Sequence, residues 1–188
     1  LSGWAGAQKY EPLAASVQAA LHAAIADTAS PEPHFDSIEE KIDWLDEMSR
    51  RLRKRMPDRN GRLEFLKSVR YEAQRAGLDP QLVLGLIEVE SAFRKHAVSS
   101  AGARGYMQVM PFWVKLIGKP GNNLFHLRTN LRYGCTILRH YLDMEKGDLF
   151  RALGRYNGSL GRPEYPNLVR SAWEKRWGWQ PRSIGPRP

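Results

Sequence analysis

A single glutamate closes the apolar run LVLGLIEVE, and after Glu90 no further carboxylate occurs until Asp143. On a helix entered at Pro80, Glu90 lies three, four and seven residues beyond Ile87, Leu86 and Val83, so its carboxyl projects from an apolar stripe. Poor solvation and the negative end of the helix dipole both disfavour the ionised form. A carboxyl lifted to roughly 6 can donate a proton near neutral pH, which makes Glu90 the candidate general acid/base. The competing reading turns Glu90 to water or pairs it with Arg94 at i+4. Glu88, which shares a face with Leu84 and Gly85, is expected in a solvent-facing or salt-bridged role.

The segment after Glu90 adds binding chemistry. Between Ser91 and Leu142 there are eight Lys/Arg and no Asp/Glu, while Ser99, Ser100, Gly102 and Gly105 precede a Met107-Gln108 step. Small residues let a ligand approach the backbone, and a glutamine both donates to and accepts from a sugar hydroxyl or amide. These parts suit a sugar-binding groove.

Helices must position them. Residues 13–27 show helical apolar spacing, and the breaker segment ASPEP follows. Ser37 with Glu40 forms a capping box for a second helix that Pro57 ends. A third helix starts around Leu63 and stops at Gly77, and Asp79-Pro80 opens a fourth through Ser91. A loop over 96–105, a short helix over 106–110 and another from Pro111 to Ile117 come next. After the turn cluster KPGNN, Thr129 or Asn130 opens a helix to about Glu145, Asp148 caps a segment to Tyr156, and 164–177 forms the last helix. Strand-like alternation is nearly absent, so the fold class is all-α. Residues 1–60 read as an N-terminal helical extension to the helices over 61–188, which carry Glu90 and the segment after it.

Composition narrows the setting. With 29 Lys+Arg against 20 Asp+Glu the net charge is +9, which attracts polyanions without choosing among nucleic acid, anionic lipid and acidic polymers. The basic run RRLRKR over 50–55 reads first as a solvated helix end that complements the dipole, and second as an anion patch. The lone Cys135 excludes an internal disulfide and sits at core spacing. Histidines 22, 34, 96, 126 and 140 lack close ligand spacing, so no metal site is expected. Trp173 and Trp177, at i and i+4, suit helix packing better than sugar stacking. No apolar run approaches the roughly 20 residues of a membrane span. The first residue, Leu1, is compatible with removal of an upstream signal segment.

Glu90-Ser91-x-Phe93, Ser99, Gly102-Ala103-x-Gly105-x-Met107-Gln108-x-Met110-Pro111, Asn130 with Gly134, and Tyr156-Asn157-Gly158 occur in this order. In order and spacing they resemble the soluble lytic transglycosylase (SLT) domain, a relative of goose-type lysozyme, over residues 63–170. The resemblance implies a lysozyme-like helical domain with Glu90 as sole catalytic acid/base. It also implies saccharide contacts from Ser99 and Gln108, a cleft shaped by Met107 and Met110, and Tyr156 with Asn157 across from the glutamate. The implied reaction cleaves the bond between N-acetylmuramic acid and N-acetylglucosamine without water, leaving a 1,6-anhydro ring and needing no cofactor. Two departures bear on substrate preference more than on chemistry: Tyr106 replaces the usual Leu, and Gly158-Ser159 follows Tyr-Asn.

The expected partner is the peptidoglycan glycan strand rather than nucleic acid, in the periplasm or cell envelope, with the chain a monomer. An envelope protein could dock on the N-terminal helices. The alternatives are a hydrolytic goose-type lysozyme and a non-catalytic peptidoglycan-binding protein.

Overall fold

The computed structural model describes residues 6–27, 29 and 32–181, and there the chain is all-α, as expected. Its helices are α1 Ala15–Ala26, α2 Ile38–Leu52, α3 Arg59–Arg75, α4 Pro80–Ser91, α5 Phe112–Ile117, α6 Leu127–Met144, α7 Leu149–Asn157 and α8 Glu164–Ser171. The segment ASPEP lies partly, and the Pro/Arg tail over 182–188 wholly, outside the described residues.

Local capping sets most boundaries. Ser37 accepts from the Glu40 N–H at 3.0 Å, but the Glu40 carboxylate reaches back to the Asp36 N–H and across to Arg70. Asp79 accepts from the Gln81 N–H at 2.7 Å and Asp148 from the Arg151 N–H at 3.0 Å, fixing the starts of α4 and α7. Helix α3 begins ahead of Leu63 because Asp58 caps it through the Gly61 N–H at 2.7 Å, a start hidden by a polar first turn.

Three expectations are corrected. Residues 106–110 are not a short helix but a tight turn between isolated antiparallel bridges, Val98 with Arg104 and Arg104 with Val109. Gly105 at φ +77° and Gln108 at φ +51° are left-handed and cannot continue a right-handed helix. Helix α6 opens at Leu127 rather than at Thr129 or Asn130, and Asn130 lies buried inside it. The last helix is not uniform: beyond α8 the chain continues as a π-helical turn, Ala172–Trp177.

The core is built around α4, whose Leu82, Val83, Leu84, Leu86 and Ile87 are all buried. Its principal neighbours are the π-helical turn, α8 and α3. A Cβ added at Gly85 would lie 2.8 Å from the backbone nitrogen of Trp173, so the glycine permits this close approach. Trp44, Met48 and Leu52 of α2 belong to the same core. By contrast α1 buries no residue fully, resting Leu21 and Ile25, with Leu13 just ahead of it, on the outside near α5 and α6. Cys135 is buried, and burial raises its thiol pKa well above the ordinary value.

Candidate active site

Glu90 sits in the last turn of α4 and is only 6% exposed. Burial pushes its pKa up to about 8, opposed by one hydrogen bond: the Tyr165 hydroxyl donates to Oε1 at 2.5 Å. At neutral pH the carboxyl is therefore protonated. The i+4 neighbour Arg94 directs its Nε to the Ser91 carbonyl at 3.0 Å.

The chain turns sharply after Glu90. Ala92 and Phe93 are both left-handed, at φ 49° and 64°, a conformation that costs on the order of 1 kcal/mol per non-glycine residue. Burial of Phe93 between Phe65 and Trp177 holds it there, with ring centroids 5.9 and 5.3 Å away. Ser91 fastens the same corner, its Oγ donating to the Tyr106 carbonyl at 2.7 Å.

One buried side chain shapes the turn that follows. Asn130 Oδ1 accepts from the Met107 N–H at 2.8 Å, and Nδ2 donates to the carbonyls of Arg104 and Leu124 at 2.9 and 2.7 Å. Gly105 lets it approach, since a Cβ there would stand 2.4 Å from Nδ2.

The residues singled out in the sequence occupy distinct layers around this turn. Ser99 is half-buried and its Oγ accepts from the Ala103 N–H at 3.1 Å. Gln108 is buried, with Nε2 donating to the Ala97 and Gly105 carbonyls. Met107 is fully buried against Gly134, where a Cβ would meet its sulfur at 2.3 Å. Tyr156 is fully buried, and its hydroxyl donates to the Met107 carbonyl at 2.7 Å. Met110 is half-buried, while Asn157 is buried and donates from Nδ2 to Ser159 Oγ at 2.8 Å. Thus Met107 and Tyr156 are joined directly, whereas the tyrosine that bonds Glu90 is Tyr165.

Tyr165 escaped sequence reasoning, although Tyr165, Val169 and Ala172 mark an i, i+4, i+7 buried stripe. The carboxylates that follow Glu90 in the chain have other partners or lie exposed. Asp143 pairs with Arg139, Glu145 with Arg151 and Arg155, Asp148 caps α7, and Glu164 is exposed in the first turn of α8. Among the described residues, no three His, Cys, Asp or Glu side chains cluster as a metal site requires, and no helix is long and apolar enough to cross a membrane.

Residues 67–170 match the family model described as "Transglycosylase SLT domain". A transglycosylase of Enterobacteria phage PRD1 is 31% identical over 112 residues, covering 60% of this chain and 41% of the relative. The membrane-bound lytic murein transglycosylase C of Actinobacillus pleuropneumoniae serotype 5b (strain L20) is 54% identical over 48 residues, 26% of this chain and 13% of that protein. The X-ray structure of an inactive mutant of the lytic transglycosylase Slt from Pseudomonas aeruginosa superposes with a TM-score of 0.45 at 24% identity, covering 72% of this chain and 23% of that one. The chain thus spans less than half the length of these relatives.

Proposed function

Because this chain belongs to the transglycosylase SLT domain family, we propose that it is a peptidoglycan lytic transglycosylase acting in the cell envelope. The observation that carries this reading is Glu90: a carboxyl whose burial favours the protonated form and whose hydrogen-bond donor is a neutral phenol.

The reaction divides into two proton transfers by one group. Tyr165 occupies Oε1, which leaves Oε2 to carry the proton. Glu90 gives that proton to the glycosidic oxygen as the bond from C1 of N-acetylmuramic acid breaks, and the sugar's own acetamido oxygen stabilises C1. The carboxylate then takes the proton of the C6 hydroxyl while O6 bonds to C1, closing the 1,6-anhydro ring. No water enters, and Glu90 ends protonated. Substrate assistance of this kind replaces the second carboxylate that most glycosidases use. The placements of Asp143, Glu145, Asp148 and Glu164 support a single-carboxylate mechanism.

Ser99, Gln108, Met110 and Asn157 form the saccharide-contacting side of the cleft in this reading. Met107 and Tyr156 shape it from behind, through their mutual hydrogen bond.

Mass spectrometry of muropeptides released from purified peptidoglycan tests the proposal. Wild type is expected to release products one water lighter than reducing muropeptides, and Glu90→Gln about 10³-fold less of them. Reducing ends would replace the proposal with a hydrolytic lysozyme, and no product from either protein would replace it with a binding module.

A further inference from the structure

Residues 6–14 carry no regular secondary structure, and their first part lies against the face formed by Gln108, Met110, Tyr156 and Asn157. Gln8, 3% exposed, is the centre of the contact. Its Oε1 accepts from the Met110 N–H at 2.9 Å, and its Nε2 donates to the carbonyls of Tyr156 and Gln108 at 3.0 and 3.1 Å. All three partners are backbone groups, so the slot is a fixed feature of the turn and of the end of α7. It matches a planar amide: one N–H to meet a carbonyl oxygen, and carbonyls to meet an N–H. Every sugar of a peptidoglycan strand carries an acetamido group, which offers the slot the carbonyl oxygen and one N–H.

The fit extends to both sides. A Cβ at Gly6 would stand 2.3 Å from the Asn157 carbonyl and Oδ1, and one at Gly158 would stand 2.1 Å from the Ala7 carbonyl. Asn157 Oδ1 is buried here without a hydrogen-bond partner, although an oxygen on a sugar-contacting face is suited to accept from a hydroxyl. Tyr10 packs edge-on against Phe112, and Glu11 lies 3.6 Å from Arg155. Helix α1 then tethers the segment through Gln18, which donates to the Leu116 carbonyl, and through His22 at the Ile117 carbonyl, yet it buries no residue of its own. Such a tether keeps the segment at high effective concentration and leaves it easy to lift.

We propose that residues 6–11 are a substrate-mimicking strap whose Gln8 carboxamide holds the place of a glycan acetamido group, so that the strap must lift before a strand can bind. This rests on the reading that the substrate is an N-acetylated glycan.

The test measures tetra-N-acetylchitotetraose binding by calorimetry in a Glu90→Gln background, with Gln8 intact, Gln8→Ala and Gln8→Glu. Gln8→Ala empties the slot, and Gln8→Glu keeps the shape while setting a carboxylate against two carbonyls. Both are expected to bind about tenfold more tightly, the worth of one or two net hydrogen bonds. Unchanged or weaker binding in folded variants would overturn the strap. Hydrogen exchange on the chain with Gln8 intact needs no strap variant: saturating chitotetraose is expected to speed exchange over residues 6–14, and slowed or unchanged exchange would make them part of the cleft wall. Anhydro-muropeptide release separates the two proposals. Chitotetraose results as expected without anhydro products leave the strap standing and the transglycosylase reading fallen, and the reverse pattern does the opposite.

Discussion

Glu88 and Glu90 are two residues apart on one helix, and both carboxylates are removed from water, yet they are opposite kinds of acid. Glu88 receives Arg55 at 2.8 Å, Arg176 at 2.9 Å and the Trp177 indole N–H at 2.7 Å. Burial pushes its pKa upward, but the bonds from Arg176, Trp177 and Arg55 outweigh burial and hold it below the ordinary carboxylate value. Glu90 receives a phenol alone and rises to about 8. Burial does not by itself make a proton donor; the charge of the groups that meet the carboxyl decides. One glutamate ties α4 to the end of α2 and to the π-helical turn, while the other is left with a proton to give.

The largest expected effect that sharpens this contrast is on turnover. Glu90→Gln should lower anhydro-muropeptide release by about 10³-fold, the worth of a general acid/base, with the fold intact by circular dichroism. Retained turnover would break the contrast outright.

Tyr165→Phe should lower kcat/KM by about tenfold, one hydrogen bond to a carboxyl group at the reacting centre. Because the Tyr165 bond lowers the Glu90 pKa, its loss should also move the alkaline limb of the pH–rate profile to higher pH. An unmoved limb would assign Tyr165 to packing.

Glu88→Gln should leave turnover within about twofold and lower unfolding stability by about 1–3 kcal/mol in denaturant titrations, since it weakens charge-assisted bonds to two arginines.

The smallest effect is a pH dependence of opposite sign at the two sites. Glu90 has a folded pKa of about 8, well above the ordinary glutamate value. Across that window the unfolded chain has released a proton that the native chain keeps, so stability from this site is full below the window and declines as pH rises through it. The melting temperature of Glu90→Gln should therefore exceed that of wild type by at least several degrees at pH 8, with the gap shrinking toward pH 5. The depressed pKa of Glu88 gives stability that is present above the ordinary carboxylate value and lost as pH falls below it.

Much of the helical frame was readable because its signals are local. Ser37, Asp79-Pro80 and Asp148 cap through N–H groups two or three residues away, so each start is written where it acts. The helical spacing of Glu90 on an apolar face was readable for the same reason. What could not be read depends on partners far along the chain. The stretch 106–110 looked helical because its true shape is imposed by Asn130, and while a salt bridge was open to Glu88, its neighbourhood did not name Arg55 and Arg176 as the partners. Tyr165 and Gln8 act across 75 to 148 residues, and although Tyr165 stands in a buried stripe with Val169 and Ala172, nothing beside either residue names its partner.

Asn130 also constrains the order of events as the chain emerges during synthesis. The Arg104 and Met107 backbone groups that it holds come before it, and the Leu124 carbonyl comes only six residues before it. Helix α4, with Glu90 at its end, can be complete while these groups still lack their partner. Long-range contacts of this kind wait for the later segment. The turn that brings a sugar to Glu90 is thus incomplete until α6 has docked, and the burial that makes Glu90 an acid waits longer still, for Tyr165 in α8.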